Sequence, residues 1–439
     1  MREIKDSGIE WIGEIPADWN LKKLKYTFAI SSGTTPKSDN LEYWDGDIPW
    51  ITPADYKTED KYVYHGRKFL SEAGLNAANL QLVPVNSIIF SKRAPIGAVA
   101  IIGAKLAINQ GCISCVPATE CDIRYYYFML SIYTEQFNLL GSGTTFKEIS
   151  SKDFGNFIVP APSVLVQEKL ADYLDRKCSQ IDAIIARQQE VIEKLKAYKL
   201  SVITEAVTKG LNPDVPMKDS GDDFIGVMPE HWNIAKLGML FDFLGGYAYN
   251  SDSYTSESDN QVIRIGNVKS GYMALENNPV YISDEIASAT DKFRINPGSI
   301  LFTMTGTKGK RDYFFTHLVA EEDCKGKKLF LNQRVGCFIP KESIDAGYYN
   351  YLLKENRILD AIFVYETGTA NQGNLGIESI RRTKVQLPSK DEQVKIREYL
   401  DNRCAKIEGL LTRKSEIICR LMAYKKSLIY EVVTGKKEV

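Results

Sequence analysis

Lys5-Asp-Ser-Gly8-Ile-Glu-Trp11-Ile-Gly-Glu-Ile-Pro16-Ala-Asp-Trp19-Asn20 returns, little altered, as Lys218-Asp-Ser-Gly221-Asp-Asp-Phe224-Ile-Gly-Val-Met-Pro229-Glu-His-Trp232-Asn233. A second echo lies downstream, where Gln167-Glu-Lys-Leu-Ala-Asp-Tyr173-Leu-Asp175 matches Gln393-Val-Lys-Ile-Arg-Glu-Tyr399-Leu-Asp401. The repeated unit is about half of the 439 residues. Solenoid repeats run to roughly 20–50 residues, so the reading is two complete globular copies in tandem. Such a chain does one kind of thing at two places.

Working outward, each copy is long enough to bury its own core, since domains run to roughly 100–200 residues. Hydrophobic residues make up 44% and charged residues 25%, ordinary values for a globular protein. No apolar run approaches the roughly 20 residues of a membrane span, and the chain opens Met-Arg-Glu-Ile-Lys-Asp without the apolar core of a signal peptide. A cytoplasmic location is expected. Eight cysteines in so long a chain do not suggest a disulfide framework. A formal net charge of −1 gives no global attraction to polyanions, so any such contact has to be local.

The end of each copy lacks turn residues and carries a heptad. In the first, Leu174, Cys178, Ile181, Ile185, Ile192, Leu195, Val202 and Ala206 fall in alternating steps of four and three, with Gln188 and Lys199 at the polar places. The second keeps the register with Leu400, Cys404, Ile407, Leu411, Ile418, Leu421, Leu428 and Val432, and Lys414 and Lys425 at its polar places. Two seams of equal phase predict two long helices packed on each other; they can run parallel or antiparallel, and an antiparallel coiled coil, which needs no extra linker after Gly210, is the arrangement expected. At 1.5 Å per residue, each helix of roughly 40 residues is about 60 Å long. Pro160, Pro162 and Pro388 mark the helix starts, and Gly210 and Gly435 the ends.

The remainder reads as mixed α/β. Candidate strands are residues 48–51, 87–90, 98–102, 112–116, 262–265, 299–303 and 335–339. The expected segmentation is a globular domain at 1–159, a helical spacer at 160–211, a second globular domain at 212–386 and a second spacer at 387–439. Short anchors repeat between the copies: Asn86-Ser-Ile-Ile-Phe90 resembles Gly298-Ser-Ile-Leu-Phe302, and Asn109-Gln110 resembles Asn332-Gln333. Between anchors the match weakens. That is the pattern of one scaffold serving two different targets.

Catalytic constellations are missing. Gly309-Lys310 lacks the remainder of a phosphate-binding loop, and no dinucleotide glycine pattern follows a strand. There is no Asn-Pro-Pro-aromatic or Asp-Pro-Pro-aromatic segment of an amino-methyltransferase. His65, His231 and His317 are the only histidines, and structural roles suit them better than base or zinc chemistry. Cys112-Ile-Ser-Cys115 has metal-site spacing, but Val335 and Phe338 stand opposite it in the second copy, so strand packing is the expectation. Asp55-Tyr56-Lys57 and Asp323-Cys324-Lys325 are chance fragments of a nuclease pattern. A binding role is favoured over catalysis.

Local basic clusters can supply that role. Lys308, Lys310, Arg311, Lys325, Lys327, Lys328 and Arg334 lie among glycines and threonines, which suits phosphate contact, although a solvated charged face has the same composition. First-copy equivalents are Arg67, Lys68, Lys92, Arg93, Asn109, Gln110 and Lys147. Two small-residue loops, Gly141-Ser-Gly-Thr144-Thr145 and Gly368-Thr-Ala-Asn371-Gln372, precede the helices; each could touch DNA or simply join domain to helix. With Arg264, Asn267, Asn332 and Gln333, these complete the candidate DNA contacts.

Taken together, the paired openings, Ile48-Pro-Trp50-Ile-Thr-Pro-Ala-Asp55 and Gln167…Asp175 with its partner resemble the specificity subunits of type I restriction–modification enzymes over essentially the whole chain. Phe224 replaces the first Trp, and Arg264-Ile-Gly-Asn267 stands where Trp50-Ile-Thr-Pro is lacking. The resemblance implies that each globular domain reads one half of a split, asymmetric site in double-stranded DNA, while the helices set the gap and dock two modification subunits. It implies a non-catalytic chain that binds no metal or cofactor itself; S-adenosylmethionine, ATP and magnesium belong to the modification and restriction subunits, which methylate adenine, translocate and cleave. Three rival readings are a DNA-reading scaffold from a methylation-only system, a two-headed protein-interaction adapter, and a chain that is itself an enzyme, which predicts activity in isolation.

Overall fold

The computed structural model describes residues 2–93, 95–141, 147–369 and 371–439. Two compact units emerge: Met1–Gln189 with Lys414–Val439, and Glu190–Arg413. Each holds one globular part, the start of the long helix that follows it and the end of the other long helix, because an apolar seam has to be covered along its whole length. No helix among the described residues is long and apolar enough to cross a membrane.

The first long helix is Val164–Lys209 and the second is Lys390–Val433. Pro162 and Pro388 stand two residues before their starts, where the missing N–H costs nothing. Gly210 at φ 77° and Gly435 at φ 74° follow their ends in the left-handed region that glycine tolerates. A Cβ on Gly210 would lie 3.3 Å from the Trp232 ring, and one on Gly435 would lie 2.5 Å from Pro16 and 3.1 Å from Trp19. The opening Pro-x-x-Trp motif of each copy is therefore the surface against which a long helix ends.

Inside the first unit, Leu174, Cys178 and Ile181 share a core with Leu428, Ile429, Val432 and Val433. Inside the second, Leu400 and Cys404 share one with Val202, Ile203, Ala206 and Val207. In both, the start of one helix lies against the end of the other, so the pair runs antiparallel. The seam is visible in burial: Ile185, Ile192, Leu195, Leu411, Ile418 and Leu421 are half-buried, Ile407 is buried, and most of their neighbours along each helix are exposed. At polar seam positions, Lys425 meets Asp182 at 2.7 Å in the first unit and Lys199 meets Glu408 at 2.6 Å in the second.

The globular part of the first unit is built on a five-stranded sheet in the order Phe28–Ser32, Cys112–Pro117, Ile88–Ser91, Val99–Ile102, Tyr62–Val63. A second sheet joins Ala107–Ile108, Trp44–Ile51 and Lys68–Leu70. The second unit has a four-stranded antiparallel sheet, Phe241–Gly245, Val335–Pro340, Ile300–Thr303 and Thr316–Leu318, beside a parallel pair of Asn260–Ile263 and Lys328–Leu331. Trp19 and Trp232 are fully buried in the respective main cores.

A polar frame repeats as closely as the sequence motifs. The Gln167 amide accepts from Asp122 N at 3.0 Å and donates to Pro162 O at 2.8 Å; Gln393 does the same with Asp345 N at 2.9 Å and Pro388 O at 3.0 Å. Tyr125 Oη donates to Val433 O at 3.0 Å, and Tyr348 Oη to Val207 O at 3.0 Å. Each tyrosine satisfies a carbonyl in the last turn of a long helix, where intrahelical partners run out. The motif glutamines, together with Tyr125 and Tyr348, thus join globular part to helix.

Candidate nucleic-acid interface

In each unit two parallel strands end side by side, and the loops leaving them meet. Trp50–Ile51 runs parallel to Ala107–Ile108, and Asn260–Ile263 to Lys328–Leu331. Just past the ends, Asn109 N donates to Ile51 O at 2.9 Å and Asn332 N to Ile263 O at 3.1 Å. A third segment lies against the end of the second of these strands, because Gly33 and Gly246 have no side chain: a Cβ there would come within 1.7 Å of Ile108 O or 2.0 Å of Asn332 O. This segment carries Thr34 and Thr35 in the first unit and half-exposed Tyr247 in the second.

The turn after the first parallel strand is present in both copies, although the second has Arg264-Ile-Gly-Asn267 in place of the first copy's residues. Thr52 N donates to Asp55 Oδ2 at 2.8 Å, and Arg264 N to Asn267 Oδ1 at 2.9 Å. One capped turn is built from different residues, Thr-Pro-Ala-Asp and Arg-Ile-Gly-Asn. Asn267 is buried, and its amide nitrogen donates to Ala274 O at 3.0 Å and Asn277 O at 2.9 Å. It is withdrawn as a DNA contact, since its donors are spent inside the loop.

Around this turn in the first unit, exposed Arg67 reaches Asp55 Oδ1 with Nε at 2.7 Å, and Lys68 lies over the Trp44 ring at 4.9 Å. Burial would raise the Asp55 carboxyl, but hydrogen bonds from Thr52 and Arg67 outweigh it and hold the group below the usual range. Lys92 and Arg93 both grip Glu148, at 3.0 and 2.7 Å. Here too burial raises and those cations lower, with a net depression. The Lys92 side chain is only 12% exposed, so its charge is committed to Glu148, and it is also withdrawn as a direct contact. Asn109 accepts from Gly111 N at 2.9 Å, while Gln110 accepts from Thr35 Oγ1. Lys147 is exposed; Thr144 lies outside the described residues.

The second unit gathers Lys308, Lys310, Arg311, Arg334, Asn371 and Gln372. Thr305–Gly306 pairs with Gln372–Asn374, which pairs with Thr367–Thr369, and Met304 N donates to Arg334 O at 3.1 Å. Lys308 Nζ donates to Gly368 O at 2.9 Å, and Arg311, at φ 50°, pairs with Asp360 and lies 5.6 Å over Phe363. Lys310, Gln333, Arg334, Asn371 and Gln372 are exposed; Asn332 and Arg264 are half-buried, and Arg264 Nη2 donates to Asn278 O. Lys325, Lys327 and Lys328 do not join this group. They enter strand Lys328–Leu331 at its far end, about 13 Å from Asn332 for four extended residues.

Elsewhere, the other motif residues have structural work. Cys112 and Cys115 fall in different apolar cores, on opposite faces of their strand, so they cannot share a ligand; burial pushes the Cys112 thiol up to about 12. His317 Nε2 meets Asp323 at 2.8 Å and His231 Nε2 meets Glu392 at 3.1 Å. His65 is exposed beside Phe69. Asp323 also caps Ala320 N at 2.8 Å. Sequence reading missed the carboxylates Asp55, Glu148 and Asp360 that hold the loop cations. Only Asp55 had a local signal, its capping spacing to Thr52.

The type I restriction modification DNA specificity domain profile matches this chain twice, at residues 16–194 and 229–417. The type I restriction enzyme MjaIX specificity subunit of Methanocaldococcus jannaschii is 30% identical over 305 residues, 67% of this chain and 68% of the relative. The EcoBI specificity subunit of Escherichia coli is 21% identical over 319 residues, 71% of this chain and 65% of the relative. Among solved structures, a chain from a study of type I restriction–modification complex assembly and conformational transition has a TM-score of 0.73 at 13% identity, covering 96% of this chain and 99% of that one. The HsdS subunit of Thermoanaerobacter tengcongensis has a TM-score of 0.52 at 13% identity, covering 96% and 98%. The duplicated frame and the doubled profile agree, and the chain belongs to the type I restriction–modification DNA specificity family.

Proposed function

We infer that this chain is the DNA-reading subunit of a type I restriction–modification complex, each globular part reading one half of a split, asymmetric site while the antiparallel helices set the gap and dock two adenine-methyltransferase subunits. One observation carries the reading: loops at equivalent places, past the ends of the parallel strands, keep the same backbone bonds but present different side chains. A shared frame with Thr35, Gln110 and Arg67 on one side, and Tyr247, Gln333 and Arg334 on the other, suits two different half-sites. The chain is a non-catalytic subunit. S-adenosylmethionine, ATP and magnesium are assigned to its partner subunits, and the complex to the cytoplasm.

Mapping adenine methylation in a cell that carries this chain with its modification partner tests the reading. The expected result is a single bipartite motif with two unlike halves and a constant gap. Methylation at a continuous site, or cutting or methylation of DNA by the purified chain alone, overturns it. Methylation with no cleavage after the restriction partner is supplied assigns the chain to a methylation-only system.

A further inference from the structure

Where each globular part meets the start of its long helix, three carboxylates surround an arginine, and in the first unit Lys61 also pairs with Asp175. In the first unit these are Asp122, which caps helix Ile123–Ile132, and Asp172 and Asp175 on the long helix. Arg124, from the globular part, reaches them at 2.7, 2.7 and 3.3 Å. In the second unit the cradle is Asp345, which caps helix Ala346–Leu352, with Glu398 and Asp401 on the long helix. Its arginine is Arg397, from the long helix, at 3.1, 3.6 and 3.5 Å.

The arginine has changed sides while the cradle has not. In the register set by Gln167 and Gln393, Arg397 corresponds to Ala171; in the register set by the capping Asp122 and Asp345, Arg124 corresponds to Gly347. A Cβ on Gly347 would lie 2.2 Å from Arg397 Cδ, so the cradle has room for one such side chain. Two unlike solutions therefore produce one ion-paired joint between the reader and the helix that leaves it. The glutamine and tyrosine bonds already dock the two elements. What the arginine adds is a charge-assisted link across that dock, from Arg124 to Asp172 and Asp175 in the first unit and from Arg397 to Asp345 in the second, which resists rotation about it.

We propose that Arg124 and Arg397 are positioning residues that hold each reader at a set angle to its helix, and so make the complex discriminate the gap between half-sites. The proposal rests on the reading of the chain as a two-site DNA reader. It is tested with the full chain assembled with its modification subunits, by measuring binding to duplexes whose gap is native, one base pair shorter or one base pair longer. Arg124→Ala lowers the preference for the native gap about tenfold, the scale of one charge-assisted hydrogen bond, and leaves the base preference within each half unchanged. Arg124→Gly with Ala171→Arg, which moves the arginine to the helix as in the second unit, restores the gap preference. Retention of the preference by Arg124→Ala overturns the proposal. So does loss of gap and base preference together, which assigns the arginine to folding alone, or failure of the relocated arginine to restore discrimination. If the wild-type complex has no gap preference, the two-site reading fails before either variant is compared.

Discussion

At the residue scale, four of the candidate loop cations are already paired with carboxylates before any DNA arrives. Lys92 and Arg93 share Glu148, Arg67 has Asp55 and Arg311 has Asp360. Phosphate contact has to displace or outcompete these carboxylates, so simple counting of basic residues overstates the electrostatic drive. Glu148→Gln is therefore expected to tighten nonspecific DNA binding several-fold at low salt. It also steepens the dependence of log affinity on log salt by about 1, the change expected for one more effective phosphate contact; titration at several salt concentrations measures both. Lys308, Lys310 and Arg311 replaced together by Ala weaken binding and flatten that slope, with exposed Lys310 contributing most. Equal slopes for the triple variant and the wild type would assign this loop to solvent.

At the element scale, the joint between globular part and long helix is polar as well as apolar, and it differs in charge between the units. Lys354 lies half-buried near Lys199, Cys404 and Glu408, and burial, with Lys199 second, pulls its ammonium down to about 8. A lysine depressed in the folded state and ordinary in the unfolded state makes the unfolded chain bind more protons between about pH 8 and 10.5. Its contribution to stability therefore rises with pH across that window and is unfavourable below it. Lys354→Met is expected to raise stability at pH 7 by on the order of 1–2 kcal/mol, discounted for partial exposure, and to remove that rise. Denaturant midpoints at pH 7 and pH 10 check both, and an unchanged pH 7 midpoint would show that solvent reaches the amine.

At the scale of the whole molecule, both long helices are divided near their middles between the two compact units. Gln188–Lys196 spans that division in the first helix, and Gln188 Oε1 is a buried acceptor without a partner there among the described residues. One heptad inserted between Gln188 and Lys196 preserves the seam phase. It is expected to change the gap in the methylated motif while both half-site sequences stay the same. A changed half-site would show that reader and helix are not separable.

Much of this was legible in one dimension. Repetition of Trp11…Trp19 and Gln167…Asp175 revealed the duplication, because identical packing and capping tasks select identical residues. The heptads revealed two long helices with matching seams, since helical periodicity is a local property of the chain; their antiparallel direction came from which ends share a core. Long-range placement was not legible. Lys325–Lys328 looked continuous with Lys308–Arg311 until an extended strand carried them to its opposite end, and Asn267 looked like a reader until its amide was found closing its own turn. Nor could the sequence alone reveal that Arg124 and Arg397 fill the same cradle from opposite sides. Sequence by itself determined the periodic and the repeated: two frames, two helices and their ends. Only tertiary structure decided which charges are free and which are held, because a side chain's partner is chosen by proximity in space, across separations such as that of Arg93 from Glu148 over which sequence has no pattern.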